Sequence, residues 1–154
     1  MTSLAHTCGD DFPLAAKKHE QDARTLLGAA RYDGAAYLAG YTVECAAKAI
    51  ILHDRAFDAA TRTIDAATLQ AWHETLRKKP YGHALLQLVS EYLGPQGQAY
   101  AHFLPSTGDE IVADWKETLR YREEHVSDVK ALAFVTSATN AAAAIIQMQL
   151  DGVL

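Results

Sequence analysis

The stretch "AAYLAGYTVECAAKAIILH", Ala35 to His53, decides how this chain is read. Leu38, Tyr41, Val43, Cys45, Ile50, Ile51 and Leu52 cover nearly the whole circumference of a helix, and only Glu44 and Lys48 carry charge. A helix that is apolar all round lies in the middle of a bundle or against another subunit. Glu44 and Lys48 stand at i, i+4 with the acid first, the better order for an ion pair, and an exposed pair of this kind adds about 0.3–0.5 kcal/mol. The sharper reading is a polar contact that reaches a partner.

A second long rod ends the chain. Ser127 stands as a cap before Asp128 to Leu150, where Val129, Leu132, Ala133, Thr136, Asn140, Ala143, Ile146 and Leu150 form one stripe. Phe134, Ala138, Ala141 and Ile145 form another, so this helix is also expected to be centrally packed. At ~1.5 Å per residue it spans on the order of 34 Å, a match for the first rod.

The rest of the chain fits around these two. Asp10 or Asp11 caps a first helix, with Pro13 tolerated in its first turn. Phe12, Ala16, His19, Ala23, Leu26, Leu27 and Ala30 form its apolar face, with Lys17, Lys18, Gln21 and Arg24 opposite. "RYDG" ends that helix, and Asp33 is placed to cap the next, which makes a helical hairpin. Asp54 to Asp65 reads as a connector, and Asp65 caps a helix through Leu76 that "RKKPYG" breaks at Pro80. His83 to Gly94 reads as a short amphipathic helix, and Gly97 to Leu104 as a weaker helical piece. Thr107 with Glu110 three residues on has the form of a capping box for a helix to about Leu119. There is no strand of conviction and no repeat. The expectation is one all-α domain over residues 1–154 with its core in 12–150, a four- to five-helix up-and-down bundle.

Composition narrows the function classes. The 154 residues are 49% hydrophobic and 21% charged, with a formal net charge of −5. Phosphate neutralisation needs surplus Lys and Arg, so any nucleic-acid contact must come from a local basic cleft. The start lacks a basic segment followed by an apolar one, so no signal peptide is read. No run is read as spanning a bilayer; Ala35 to Leu52 comes closest, but Glu44 and Lys48 interrupt it. Cys8 and Cys45 do not form a disulfide scaffold. A soluble, cytoplasmic protein is expected. There is no HExxH, Cys/His cluster or P-loop, so neither a metal nor a cofactor is expected.

Three segments resemble a known family. "YDGAAYLAGYTVECAAKAIIL" (Tyr32 to Leu52) is similar to the second helix of HEPN domains, with Glu44 and Lys48 at its acid and lysine positions. "YGHALLQLV" resembles the segment where a histidine opens the third helix, and "WKETLRYR" (Trp115 to Arg122) the Trp-then-Arg-Tyr entry to the last. The resemblance covers most of Leu14 to Leu150, with the middle connectors unmatched. It implies a helical bundle that commonly forms a homodimer, and a cognate minimal nucleotidyltransferase in a toxin–antitoxin or defence pair. Many members are metal-independent ribonucleases with Arg, four to six residues, then His; others lack that motif and serve as binding modules for nucleotide, RNA or protein.

Arg120 and His125, with four residues between, satisfy that spacing. The chemistry would suit them, because histidine can take or give a proton near neutrality and a planar guanidinium matches phosphate charge. Arg122 and Lys116 would deepen the cleft, and Arg77, Lys78 and Lys79 form a further basic cluster for RNA or nucleotide phosphate. Two observations oppose catalysis. Tyr121 follows the arginine where catalytic members usually place a small polar residue, and Ser127 leaves the pair in a link ahead of the helix. On a continuous helix the two would lie about 140° apart, and Glu123 and Glu124 between them would repel phosphate. The leading expectation is therefore a non-catalytic HEPN-like binding module. The first alternative is an endoribonuclease using Arg120 and His125, and the second a purely structural adaptor. Trp115 and Tyr121 are read with Glu44 and Lys48 as structural or partner-facing residues. His19 is read as a satisfied core residue, His53 and His73 as lying near helix surfaces, and His83 as a helix starter.

Overall fold

Asp11 sets the first helix: its Oδ1 accepts the Leu14 amide hydrogen at 2.9 Å, and Pro13 needs no hydrogen-bond partner in the first turn. Helix α1 runs Phe12–Gly28 and α2 Tyr32–Ala56. Between them Ala30 takes the left-handed conformation (φ 56°), and the Arg31 amide bonds back to Leu26 O at 2.8 Å. The structure, a computed structural model, describes residues 4, 11–78, 89–91, 93–116, 119 and 125–154. Within these residues the protein is mostly helical, as the periodicity requires.

The connector after α2 holds a small hairpin. Strands β1 (Phe57–Asp58) and β2 (Thr63–Ile64) pair antiparallel, with Phe57 opposite Ile64. Two-residue strands lie below what an alternation pattern can reveal. Helix α3 (Ala66–Arg77) starts where Asp65 accepts from the Thr68 amide at 2.8 Å. Of the expected His83 to Gly94 helix, only Val89, Ser90 and Glu91 are described as helical, and His83 lies outside the described residues. Helix α4 spans Pro95–Ala101 and begins on Asp54, which accepts the Gly94 and Gly97 amides at 2.7 and 2.6 Å.

Helix α5 corrects the reading of Thr107. It covers only Glu110–Asp114, and its cap is Asp109, whose carboxylate bonds back to the Ser106 amide and not into the helix. Thr107 and Gly108 form a turn ahead of it. The helix stops because Trp115 turns extended (ψ 132°) to send its indole into the bundle. Helix α6 then runs Asp128–Leu150 from its Ser127 cap.

Helix α2 is the centre of the fold and packs against α1, α6, α3 and α4. Ala35, Ala36, Ala39, Ala46 and Ala49 are fully buried on it, which lets neighbours approach closely. The two long rods do lie side by side. Against the expectation for α6, only its Phe134/Ala138/Ala141/Ile145 face is buried. Val129, Leu132, Ile146 and Leu150 are 74%, 56%, 51% and 76% exposed. By length and composition both α2 and α6 reach what a bilayer crossing requires, contrary to the reading of the sequence. Most of that α2 window is buried inside the bundle, and α6 carries no charge from Ala131 to Leu150.

Candidate functional site

The entry to α6 is built against the start of α2. Ser127 is extended and its Oγ accepts the Lys130 amide at 3.1 Å, so His125 and Val126 remain in the link ahead of the helix. Asp33, in the first turn of α2, receives that link. Its Oδ1 accepts the Val126 amide hydrogen at 2.5 Å, and its Oδ2 lies 3.1 Å from His125 Nδ1. Asp33 therefore does not cap its own helix; the cap position is Arg31, which makes no side-chain bond there. The Val126 amide, and less strongly the His125 ring, hold the Asp33 carboxyl below the ordinary carboxylate range.

A carboxylate only accepts, so His125 Nδ1 carries the shared proton and Nε2 is the ring's other functional atom. Nε2 makes no hydrogen bond among the described residues, and the side chain is 90% exposed. The ring stands between two hollows. One, of about 360 Å³, is lined by Asp114, Lys116, Leu119, Ser127 and Lys130. The other, of about 530 Å³, lies on the α1–α2 turn beside Arg31 and Tyr32.

Charge in the first hollow is partly matched. Lys130 Nζ sits 2.7 Å from Asp114 Oδ2, which lowers the Asp114 carboxyl and ties α5 to α6. Lys116 is exposed at the rim. The hollow opens beside the N-terminal end of a 23-residue helix, where Asp128 Oδ1 already accepts the Val129 amide and Ser127 Oγ the Lys130 amide. What the arrangement presents is an exposed lysine, Lys116, in the same hollow as a histidine whose orientation a carboxylate fixes.

The other expected site residues are placed elsewhere. Arg120, Tyr121, Arg122 and Lys79 lie outside the described residues, as does Cys8. Arg77 ends α3 and Lys78 caps it; both are exposed, and neither lines the hollow at the α6 entry. Trp115 is a core anchor, 2% exposed, with Nε1 donating to Ala36 O and Tyr37 O at 3.1 Å each. The Glu44–Lys48 pair is not on the surface: the side chains are 12% and 7% exposed, and the Lys48 ammonium lies 5.3 Å from the Phe12 ring centre. Its second carboxylate oxygen, Glu44 Oε2, has no hydrogen-bond partner among the described residues.

The histidines also differ from expectation. His53 and His73 are buried at 3% and 0%, not near helix surfaces, because α4 and the N-terminal Leu4 cover them. His53 packs on Phe57 and Tyr100, and burial lowers its pKa. His73 Nε2 bonds to Leu4 O at 3.0 Å. His19 is half-buried against Tyr41, and its Nδ1 has no partner among the described residues, so it is not the satisfied core histidine expected. Burial pushes the Cys45 thiol up to about 12, with the Glu44 charge adding to it. Among the described residues no group of three or more His, Cys, Asp or Glu is placed to hold a metal.

Sequence reasoning missed Asp33, Asp114 and Lys130 as members of this site. Lys130 carried a signal: a cation in the first turn opposes the helix dipole and calls for an acid from elsewhere. Asp33 carried none, since its partner is 93 residues away. In comparison with known proteins, no model of a protein family, no curated protein and no solved structure matches this chain.

Proposed function

We propose that this chain is a HEPN-like, non-catalytic binding module. In this reading it acts as a cytoplasmic homodimer within a toxin–antitoxin or defence pair. It takes the phosphate of a nucleotide or RNA at the α6 entry, with a minimal nucleotidyltransferase as its cognate partner. The observation that carries the reading is the roughly 360 Å³ hollow where exposed His125 and Lys116 meet the start of α6. The resemblance adds the order of helices and the Trp115 entry, and the two long rods packed side by side support it.

The test is a titration of nucleoside triphosphates and a short single-stranded RNA at low salt. Wild type should bind, with affinity falling as salt rises, because bound phosphate displaces counterions. Lys116→Ala and His125→Ala should each weaken binding. Flat titrations at low salt would leave only the adaptor reading.

One observation favours a second reading, an endoribonuclease. The Asp33 carboxylate fixes His125 through Nδ1, which leaves Nε2 able to take a proton. Nε2 would remove the 2′-hydroxyl proton while that oxygen forms a bond to phosphorus. The P–O5′ bond breaks, and the 5′-oxygen takes a proton from an acid, giving a 2′,3′-cyclic phosphate and a 5′-hydroxyl end. Wild type should then release those ends, and His125→Ala should slow cleavage by about 10²–10⁴-fold. Equal cleavage by His125→Ala, or none by wild type, removes this reading.

A further inference from the structure

Among the described histidines, only His125 combines exposure with a carboxylate on one ring nitrogen. His53 and His73 are buried, and His19 is half-buried. His102 is exposed, but its ring lies against Phe103, with centroids 4.1 Å apart, and no carboxylate among the described residues bonds to it.

Asp33 is itself held in place. Its Oδ1 accepts the Val126 amide hydrogen, which keeps Oδ2 on His125 Nδ1 at 3.1 Å. A carboxylate on one ring nitrogen sets the tautomer and raises the basicity of the other nitrogen, here the solvent-facing Nε2. The cations of the adjoining hollow differ in their commitments. Lys130 is tied to Asp114 at 2.7 Å, whereas Lys116 is exposed and makes no ion pair among the described residues.

We propose that His125 Nε2 is a phosphoryl-accepting nucleophile, modified by donors of the phosphoramidate class. The Nε2 lone pair forms a bond to phosphorus while the donor's own P–N bond breaks, and the donor nitrogen, already protonated, leaves as the free amine. His125 Nδ1 keeps its proton, so the phosphorylated ring carries positive charge, which the Asp33 carboxylate faces. The phosphoryl oxygens carry negative charge, which Lys116 in the same hollow offsets. Charge that develops on both sides of the new bond thus meets its opposite.

This goes beyond the proposed function and rests on the His125 geometry, not on any ligand of that reading. It does give the site a control. A phosphoryl group on His125 places negative charge at the α6 entry, where it repels the phosphate of an incoming nucleotide or RNA.

The experiment treats the full chain with phosphoramidate near neutral pH. Labelled histidines are mapped by mass spectrometry after alkaline work-up, because the N–P bond survives base and hydrolyses in acid. His102 serves as the exposed reference within the same molecule. His125 should be labelled about 10- to 100-fold faster than His102, the factor that a hydrogen bond to a charged group supplies. The product should be linked through Nε2 alone, as read by nitrogen–phosphorus coupling in the NMR spectrum. Asp33 acts here as a positioning residue. In Asp33→Asn the amide oxygen serves Val126 and the NH2 faces Nδ1, so the ring proton moves to Nε2 and its lone pair is lost. Labelling of His125 should then fall to the His102 rate, with the His102 rate and the circular dichroism unchanged. Phosphorylated wild type should bind nucleoside triphosphate more weakly than the unmodified chain wherever the latter binds it. Labelling of His125 no faster than His102, an Nδ1-linked product, or an Asp33→Asn chain labelled like wild type would each overturn the inference. Flat nucleotide titrations beside selective labelling would remove the proposed ligand and leave the acceptor site standing.

Discussion

Gly40 shows how one residue fixes the path of another. A Cβ there would lie 2.0 Å from Trp115 Cε2, so the indole rests where only hydrogen leaves room. Gly40→Ala should cost about 1–3 kcal/mol by overpacking, and an unchanged midpoint in urea would contradict that contact. Asp33 works over a longer reach. Its carboxyl is depressed, first by the Val126 amide, so the unfolded chain binds a proton more readily. Its contribution is therefore present above the unfolded value near 3.9 and lost as pH falls through the lower folded value. Asp33→Asn keeps an acceptor for Val126 but not the charge, and its melting temperature should fall less than wild type's between about pH 4.5 and 3. Parallel curves would mean that the charge contributes nothing. At this scale capping was legible and Asp33 was not. Asp11, Asp65 and Ser127 bond amides three residues away, within any local window, whereas Asp33 spends the same chemistry on an amide 93 residues on.

Helix α2 shows how an i, i+4 pattern changes meaning with burial. On the surface Glu44–Lys48 would add a few tenths of a kcal/mol. Here the pair is almost enclosed, with Lys48 above Phe12 and one Glu44 oxygen unpartnered among the described residues. Removing one member leaves an uncompensated charge in a poor solvent for it. Lys48→Ala should cost about 3–5 kcal/mol, while the joint change Glu44→Leu with Lys48→Met should be close to neutral or stabilising. Denaturant titration of wild type, Glu44→Leu, Lys48→Met and the joint variant, taken as a double-mutant cycle, checks this; additive losses would place the pair in water. The helix itself was readable because its apolar surface has no gap. Its outer end was not, since the chain continues helically to Ala56 before Phe57 turns extended. The expected helix to Leu119 failed for a different reason: propensity favoured continuation past Asp114, but docking of the Trp115 indole against α2 ended it.

For the whole molecule, two apolar rods were enough to read a mostly helical fold in which they pair, though not its small β1–β2 hairpin. Which face of α6 stays outside was not legible, because both of its stripes are apolar and the helices packed on it, chiefly α1 and α2, choose between them. Burial of the histidines was hidden for a similar reason: His53 and His73 look like surface residues until α4 and Leu4 close over them. That enclosure gives the molecule a dependence on pH. Desolvation lowers the pKa of His53, and the nearby Asp54 and Asp151 only partly offset it. Desolvation lowers His19 as well, aided by Lys18 and opposed by Asp22 and Glu44. A histidine held neutral in the fold binds fewer protons than its unfolded form, so stability rises with pH across the window between the folded value and the unfolded one near 6.5. The contribution is complete above about pH 7 and shrinks as the solution is acidified below 6.5. Melting temperature should therefore drop between about pH 7.5 and 5.5, ahead of any carboxylate protonation. His53→Phe, which retains a ring beside Phe57 and Tyr100, should reduce that slope even if it shifts the baseline. A wild-type profile flat across this interval would show that water reaches both rings and that α4 does not seal the end of the bundle.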